Sequence, residues 1–276
     1  MTAKRDPVFP ELSLEDRVAL VTGAGRGIGR AIAVTLAEAG AHVAVAARTT
    51  AQVEETAGMV EKLARKTLPL PTDITDLAQV EHMVARTVAG LGPIDILVNS
   101  AGTIFMRPLV AVPDKGFMSE IFPGFEKGMT IEEWDATMNL NLRGTFLVTR
   151  TVAPAMIERR RGKVIIVTST ESTQAWTNHA AYGSTKAALM MFTRIAAKEW
   201  ARYGILVNAI APGFFRTAAS EFSYQDDRLR ESQIRMIPLR RFGDLRELGL
   251  MAVYLASDAA NYITGQTFFV DGGVSA

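Results

Sequence analysis

The stretch Val18–Gly40, VALVTGAGRGIGRAIAVTLAEAG, decides how the rest of the chain is read. Its first five residues are apolar and too short to form a helix, so they predict a buried strand. The last dozen carry helical periodicity. Between them lies a turn in which Gly23, Gly27 and Gly29 fit the pattern T-G-x-x-x-G-x-G. The more familiar G-x-G-x-x-G is not met, because Ile28 and Arg30 stand where its last glycine would fall. Glycines let such a turn approach a pyrophosphate, which then rests on the first N–H groups of the following helix. A purely structural strand-to-helix turn is the alternative.

Similar apolar runs recur along the chain. They are HVAVAA from His42, IDILVNSAG from Ile94, KVIIVTST from Lys163, ILVNAIAPG from Ile205 and TFFVDGG from Thr267. Helical patterns separate them, TKAALMMFTRIAAKEWARYG from Thr185 being the longest. Continuous apolar strands alternating with helices predict an α/β chain: a single-domain Rossmann fold, a doubly wound parallel sheet of about seven strands with helices on both faces. TLPLPTDI is a weaker strand, since Pro69 and Pro71 cannot donate ladder hydrogen bonds. It suits the edge position that the third strand takes in the order 3-2-1-4-5-6.

Composition narrows the possibilities. The 276 residues carry a net charge of +1, which provides no broad basic surface for nucleic acid. There is no cysteine, so disulfides and thiolate metal sites are ruled out, in keeping with a cytoplasmic location. No apolar run reaches the ~20 residues a membrane helix needs. The opening MTAKRDPVFPELSLED lacks the apolar core of a secretory signal. The expected organisation is a flexible arm over 1–14 and one catalytic domain over 15–276. That domain would carry an elaborated loop at 103–131 and a substrate loop at 213–240. The loop at 103–131 is rich in Pro, Gly and Phe and reads either as core packing or as a lid over a substrate.

The end of the second strand bears on specificity. A dinucleotide site that selects NAD usually has an acid there, bonded to the ribose 2′-hydroxyl. Here Ala47 is followed by Arg48. The missing acid leaves room for a 2′-phosphate, Arg48 has the geometry to pair with it, and Arg26 in the glycine turn adds a second positive group. NADP(H) is therefore expected over NAD(H), with both arginines simply solvated as the alternative.

With these motifs in hand, the sequence resembles the short-chain dehydrogenase/reductase family. TGAGRGIG is similar to its cofactor turn, NSAG (Asn99–Gly102) to its N-N-A-G, and NLRG (Asn141–Gly144) to the segment holding its catalytic Asn. YGSTK (Tyr182–Lys186) matches its Y-x-x-x-K, APGFFRT (Ala211–Thr217) resembles its P-G-x-x-x-T, and DGG (Asp271–Gly273) its ending. The resemblance implies a catalytic set of Asn141, Ser169, Tyr182 and Lys186, with Thr168 and Ser172 as neighbours easily confused with Ser169. It implies cofactor contacts from Gly23, Arg26, Gly27, Ile28, Gly29, Arg48, Asp73, Ile74, Asn99, Ala101, Gly102, Tyr182, Lys186, Pro212, Gly213 and Thr217. Asp73 would touch the adenine amino group, Asn99 the adenosine ribose and Thr217 the nicotinamide carboxamide. It also implies a homotetramer, or a homodimer, built through the helices bearing Asn141 and Tyr182 and through the C-terminal segment.

Chemistry explains why those residue types are needed. A free phenol titrates near pH 10, too weak an acid to exchange protons readily at neutral pH. Lys186 stands one helical turn from Tyr182, and a nearby cation favours phenolate. Tyr182 would then act as base in oxidation and acid in reduction, with Ser169 holding the substrate oxygen and Asn141 a water chain from Lys186 to solvent. The expected activity is NAD(P)(H)-dependent interconversion of a secondary alcohol and a ketone, on a sugar acid, sugar or polyol. Two local segments resemble gluconate 5-dehydrogenases and related sugar-acid dehydrogenases. A 3-oxoacyl-thioester reductase is the alternative within the class, and a non-catalytic NADP-binding regulator the alternative outside it. Glu171, Trp176, Asn178, Phe214, Phe215 and Arg216 are candidate substrate-pocket residues. No metal site is expected from His42, His82 and His179, which lie far apart.

Overall fold

The structure, a computed structural model, describes residues 9–112, 124–217 and 220–276. Seven parallel strands form one sheet in the order β3-β2-β1-β4-β5-β6-β7. They are β1 (Val18–Thr22), β2 (His42–Ala47), β3 (Thr67–Pro71), β4 (Ile96–Asn99), β5 (Gly162–Val167), β6 (Ile205–Pro212) and β7 (Thr267–Val270). The doubly wound parallel sheet expected from the strand–helix alternation is therefore observed. The proline-bearing strand β3 lies at one edge, with Pro69 in register with Val45 of β2.

Among the described residues the helices are α1 (Gly27–Glu38), α2 (Thr50–Glu61), α3 (Leu77–Leu91), α4 (Ile131–Thr137), α5 (Thr145–Arg159), α6 (Ala180–Trp200), α7 (Glu221–Gln225), α8 (Asp227–Met236) and α9 (Leu245–Ala256). Their starts follow capping chemistry. The Asp76 carboxylate accepts from the N–H groups of Ala78 and Gln79 to open α3, and Thr130 with Glu133 forms a reciprocal capping box on α4.

Alternate residues of each central strand feed two separate cores, as a sheet covered on both faces requires. Ala19 and Val21 of β1 pack with Ile32 and Leu36 of α1, Val53 of α2 and Leu248 of α9. Leu20, on the opposite face, joins Val80 and Met83 of α3, Val148 and Met156 of α5 and Leu189 of α6.

Two segments bear on expected boundaries. Of the arm expected over 1–14, residues 1–8 lie outside the described residues. Leu14 itself is fully buried and its N–H donates to Ala39 O at 2.8 Å, so the folded domain begins before residue 15. Of the 103–131 loop, 113–123 lie outside the described residues, Phe117 and Phe122 among them. Phe125 is buried, and a short 3-10 turn spans Phe125–Lys127.

Candidate active site

The strand order reverses between β1 and β4, and a cleft of about 580 Å³ opens beyond the C-terminal ends of the strands at that point. This is where open α/β sheets bind ligands. One end of the cleft is walled by the β1–α1 turn and by Arg48, Thr49 and Gln52, and the other by Ser169, Tyr182 and Lys186.

The glycines of the turn are sterically required. Gly23 has φ +65, and a Cβ there would lie 2.7 Å from the Ala101 backbone. Gly27 has φ +57, and a Cβ on Gly29 would run into the Gly23 carbonyl. The close approach of turn, helix and β4 loop thus leaves no room for side chains at Gly23 and Gly29, and the left-handed backbone of Gly27 disfavours one there. No side chain caps the start of α1, so its first N–H groups face the cleft without a partner side chain. Arg30 steadies the turn from behind, donating to Gly25 O and pairing with Glu55 at 2.6 Å. Arg26 and Arg48 both line this end, and Ala47 leaves it without an acid at the β2 terminus. An uncapped helix start, glycines at closest approach and two cations fit a phosphorylated dinucleotide.

At the other end, α6 places Tyr182 and Lys186 one turn apart. Lys186 is buried, its Nζ donates to Val167 O at 2.9 Å, and it lies 5.4 Å from the centre of the Tyr182 ring. Ser169 leads off the β5 strand end, its Oγ accepts from Glu171 N at 3.2 Å, and it hydrogen-bonds Tyr182. The neighbours that sequence could confuse with it are spent on the backbone. Thr168 Oγ1 donates to Ile210 O at 3.1 Å, and Ser172 Oγ donates to Ser169 O at 2.7 Å.

Electrostatics differs from the simple expectation. Burial pushes the Tyr182 phenol above its ordinary value, and the Glu171 carboxylate pushes it further the same way, while a hydrogen bond with Ser169 works against both. Burial lowers Lys186 to about 8, with Glu171 opposing. The phenol is therefore held protonated, because desolvation of the charged form outweighs the opposing hydrogen bond with Ser169.

Asn141 sits in a π-helical turn, Met138–Gly144, between α4 and α5. Such turns recur at functional sites. Its side chain grips both sides of Thr103: Nδ2 donates to Thr103 O at 2.9 Å and Oδ1 accepts from Thr103 N at 2.8 Å. Nδ2 also reaches Thr185 Oγ1 at 3.2 Å on α6. Asn141 itself does not line the cleft; it ties together two walls that do.

Of the residues expected at a cofactor, Gly23, Arg26, Gly27, Ile28, Gly29, Arg48, Ile74, Ala101, Gly102, Tyr182, Lys186, Pro212, Gly213 and Thr217 line the cleft. Asp73 and Asn99 do not. The Asp73 carboxylate turns onto its own loop, accepting from Thr75 N at 2.9 Å and Thr75 Oγ1 at 2.8 Å. Asn99 is buried, with Nδ2 on Thr149 Oγ1 at 3.0 Å and Oδ1 without a partner. Their neighbours Thr72, Ile74 and Ser100 face the cleft instead. Thr49, Gln52, Thr103 and Leu140 also line it. The sequence reading passed over them, although Thr49 and Gln52 follow directly from Arg48 at the start of α2. Among candidate substrate residues, Phe215 is buried, Trp176 stacks edge-on against Phe214 at 5.5 Å, and Arg216 pairs with Glu221 at 2.9 Å. Among the described residues no cluster of three or more His, Asp or Glu side chains has the placement to hold a metal ion.

A seven-stranded doubly wound sheet, a glycine turn at its switch point and a Ser–Tyr–Lys set at the same cleft define an NAD(P)-dependent oxidoreductase acting on CH–OH groups. Comparison agrees. A family model described as Enoyl-(Acyl carrier protein) reductase matches residues 23–275. A 3-oxoacyl-[acyl-carrier-protein] reductase of Thermotoga maritima is 35% identical over 263 residues, covering 95% of this chain and 99% of that one. A 2-dehydro-3-deoxy-D-gluconate 5-dehydrogenase of Dickeya dadantii is 35% identical over 267 residues, covering 96% and 98%. The crystal structure of a gluconate 5-dehydrogenase from Burkholderia cenocepacia, in complex with NADP and tartrate, superposes with a TM-score of 0.85 at 35% identity, covering 96% and 97%. The chain belongs to the short-chain dehydrogenase/reductase family.

Proposed function

We propose that this enzyme interconverts a secondary alcohol and a ketone on a sugar acid, sugar or polyol, and uses NADP(H) in preference to NAD(H). The observation that carries the reaction is the convergence of Ser169, Tyr182 and Lys186 at one end of a cleft whose other end presents Arg26 and Arg48. When bound, the dinucleotide supplies the hydride chemistry between its nicotinamide carbon and the carbinol or carbonyl carbon. Gly23, Gly27 and Gly29 bring the α1 N–H groups to its pyrophosphate, and Arg26 and Arg48 bind the 2′-phosphate. Ser169 donates to the substrate oxygen. Tyr182 delivers the proton to that oxygen in reduction and takes it in oxidation. Lys186 stabilises the phenolate left behind, and Asn141, by holding Thr103 to α6, keeps the walls in register and supports a water path to Lys186.

The sugar-acid reading is supported by the Dickeya and Burkholderia relatives, the thioester reading by the Thermotoga relative and the family model. The former is preferred because the catalytic end of the cleft carries the polar groups Thr103, Thr168 and Ser169. The enzyme is read as a cytoplasmic homotetramer, or homodimer. Phe146 on α5 and Met191 and Ile195 on α6 are about half exposed, leaving apolar surface on the helices expected to associate. Cofactor-dependent turnover on a panel of sugar acids, polyols and 3-oxoacyl thioesters is the test. Turnover confined to the thioesters would overturn the substrate assignment, and none on any member would revive the regulator.

A further inference from the structure

Beside the Ser–Tyr–Lys set stands a hydrogen-bonded pair that the set itself does not require. Glu171 follows Ser169 by two residues, and its carboxylate folds onto His179, Oε1 lying 2.9 Å from Nδ1. Both side chains are nearly covered, at 11% and 15% exposure. The other oxygen, Oε2, is buried and has no hydrogen-bond partner among the described residues. The His179 ring stands edge-on to the Tyr182 ring with centroids 6.3 Å apart. Asn178, just before it, takes the left-handed conformation at φ +69, and its carbonyl accepts from Arg107 N at 2.8 Å. The loop is thus pinned to the opposite wall in the shape that brings the pair against α6.

A buried carboxylate oxygen without a partner is costly, and it persists only where nearby charge offsets it. Among the described residues, its own loop supplies Ser169 and His179 to face Glu171, and α6 supplies Tyr182 and Lys186. From the 104–108 segment comes Arg107, whose guanidinium pairs instead with Glu133 of α4 at 3.2 Å. Neither Glu171 nor His179 lines the cleft, so the pair is placed to act on the catalytic groups rather than on substrate.

We propose that Glu171 is a positioning residue whose carboxylate, tethered by His179, keeps the proton on Tyr182 and the ammonium on Lys186, poising the site for carbonyl reduction. The proposal rests on the acid–base reading of Tyr182 given above. A negative charge beside a phenol opposes phenolate, and beside an ammonium it favours the charged form. The two effects share a direction: both retain protons in the site.

The test is the pH midpoint of Tyr182 in enzyme labelled with ζ-carbon-13 tyrosine and saturated with oxidised dinucleotide, the resonance being assigned with Y182F. Glu171→Gln is expected to lower the midpoint by about one pH unit, a roughly tenfold loss of proton affinity. Glu171→Asp, which keeps the charge, stays nearer wild type. His179→Gln, which keeps a donor to the carboxylate, leaves the midpoint at or above wild type, and the double variant follows Glu171→Gln. An unmoved midpoint in folded Glu171→Gln overturns the proposal, as does an equal shift in Glu171→Asp or a lowered midpoint in His179→Gln. If Glu171→Gln fails to fold, Glu171→Ala takes its place as the charge-removing variant, with the same expected and overturning outcomes. The midpoints need no substrate, so they stand apart from the turnover of Y182F, which tests Tyr182 as the proton donor.

Discussion

Lys186 lies over the Tyr182 ring, 5.4 Å from its centre, while its Nζ is held by the Val167 carbonyl at 2.9 Å. The ammonium is fixed by β5, so its distance from the phenol is set by the packing of α6 on the sheet. Tyr182→Phe removes the proton that is delivered to the substrate oxygen while leaving the cleft walls in place. It is expected to cut kcat by about a thousandfold or more, with the dissociation constant for the dinucleotide within about twofold of wild type. Initial rates and fluorescence titration of the reduced cofactor measure the two quantities. Retention of a tenth of the activity would remove Tyr182 from the mechanism.

Much of this was legible in the sequence, for identifiable reasons. Strands buried on both faces must be continuously apolar, so β1, β4, β5 and β6 announced themselves. Pro69 and Pro71 placed β3 at an edge because they cannot donate to a ladder on both sides. The glycine turn was readable because its backbone leaves no space for Cβ atoms. Side-chain direction was harder to read. Asp73 and Asn99 stand at the right places along the chain, yet both turn away from the cleft, one captured by Thr75 and the other by Thr149. Their neighbours point the opposite way, and spacing alone cannot tell which of the two faces the opening. The electrostatics was least legible. Proximity of Lys186 to Tyr182 follows from helical spacing, but the net rise of the phenol comes from burial by distant segments and from the Glu171 carboxylate.

Arg48 is the natural point at which to test cofactor choice. A charge-assisted bond to a phosphate contributes about 1.5–3 kcal/mol. Arg48→Ala should therefore raise KM for NADP(H) by roughly ten- to a hundredfold and leave KM for NAD(H) almost unchanged. Ala47→Asp should go further, since an acid at the β2 end repels the 2′-phosphate and accepts from a ribose hydroxyl. Steady-state constants with both cofactors check this. Equal losses with the two would assign Arg48 to general packing.

Asn141→Ala cuts the tie between Thr103 and α6. It leaves the Thr103 N–H and carbonyl without their partner inside the protein, at a cost of about 2–4 kcal/mol in unfolding free energy. Asn141→Asp keeps the acceptor for Thr103 N–H but loses both donated bonds, and it adds a buried charge near Lys186. Both variants should lose activity and stability together. Chemical denaturation alongside kcat/KM separates this from a role confined to a water path, which would lower activity and leave the denaturation midpoint in place.

Lys163 provides a pH test of the fold away from the cleft. It is buried on β5, with Nζ donating to Ser257 O at 2.9 Å and to Asn261 Oδ1 at 2.8 Å, and burial lowers it to about 8. In the unfolded chain a lysine titrates near 10.4. Between these values the unfolded state binds more protons than the folded one, so stability rises with pH across the window. Below pH ~8 the folded protein carries the full cost of a buried ammonium. Lys163→Met removes that titration. The wild type should therefore gain on Lys163→Met by on the order of 2 kcal/mol as pH rises from about 8 to about 10. Urea unfolding of both proteins at matched pH values measures the difference. A gap that stays constant across the window would mean that Ser257 and Asn261 solvate the ammonium as well as water does.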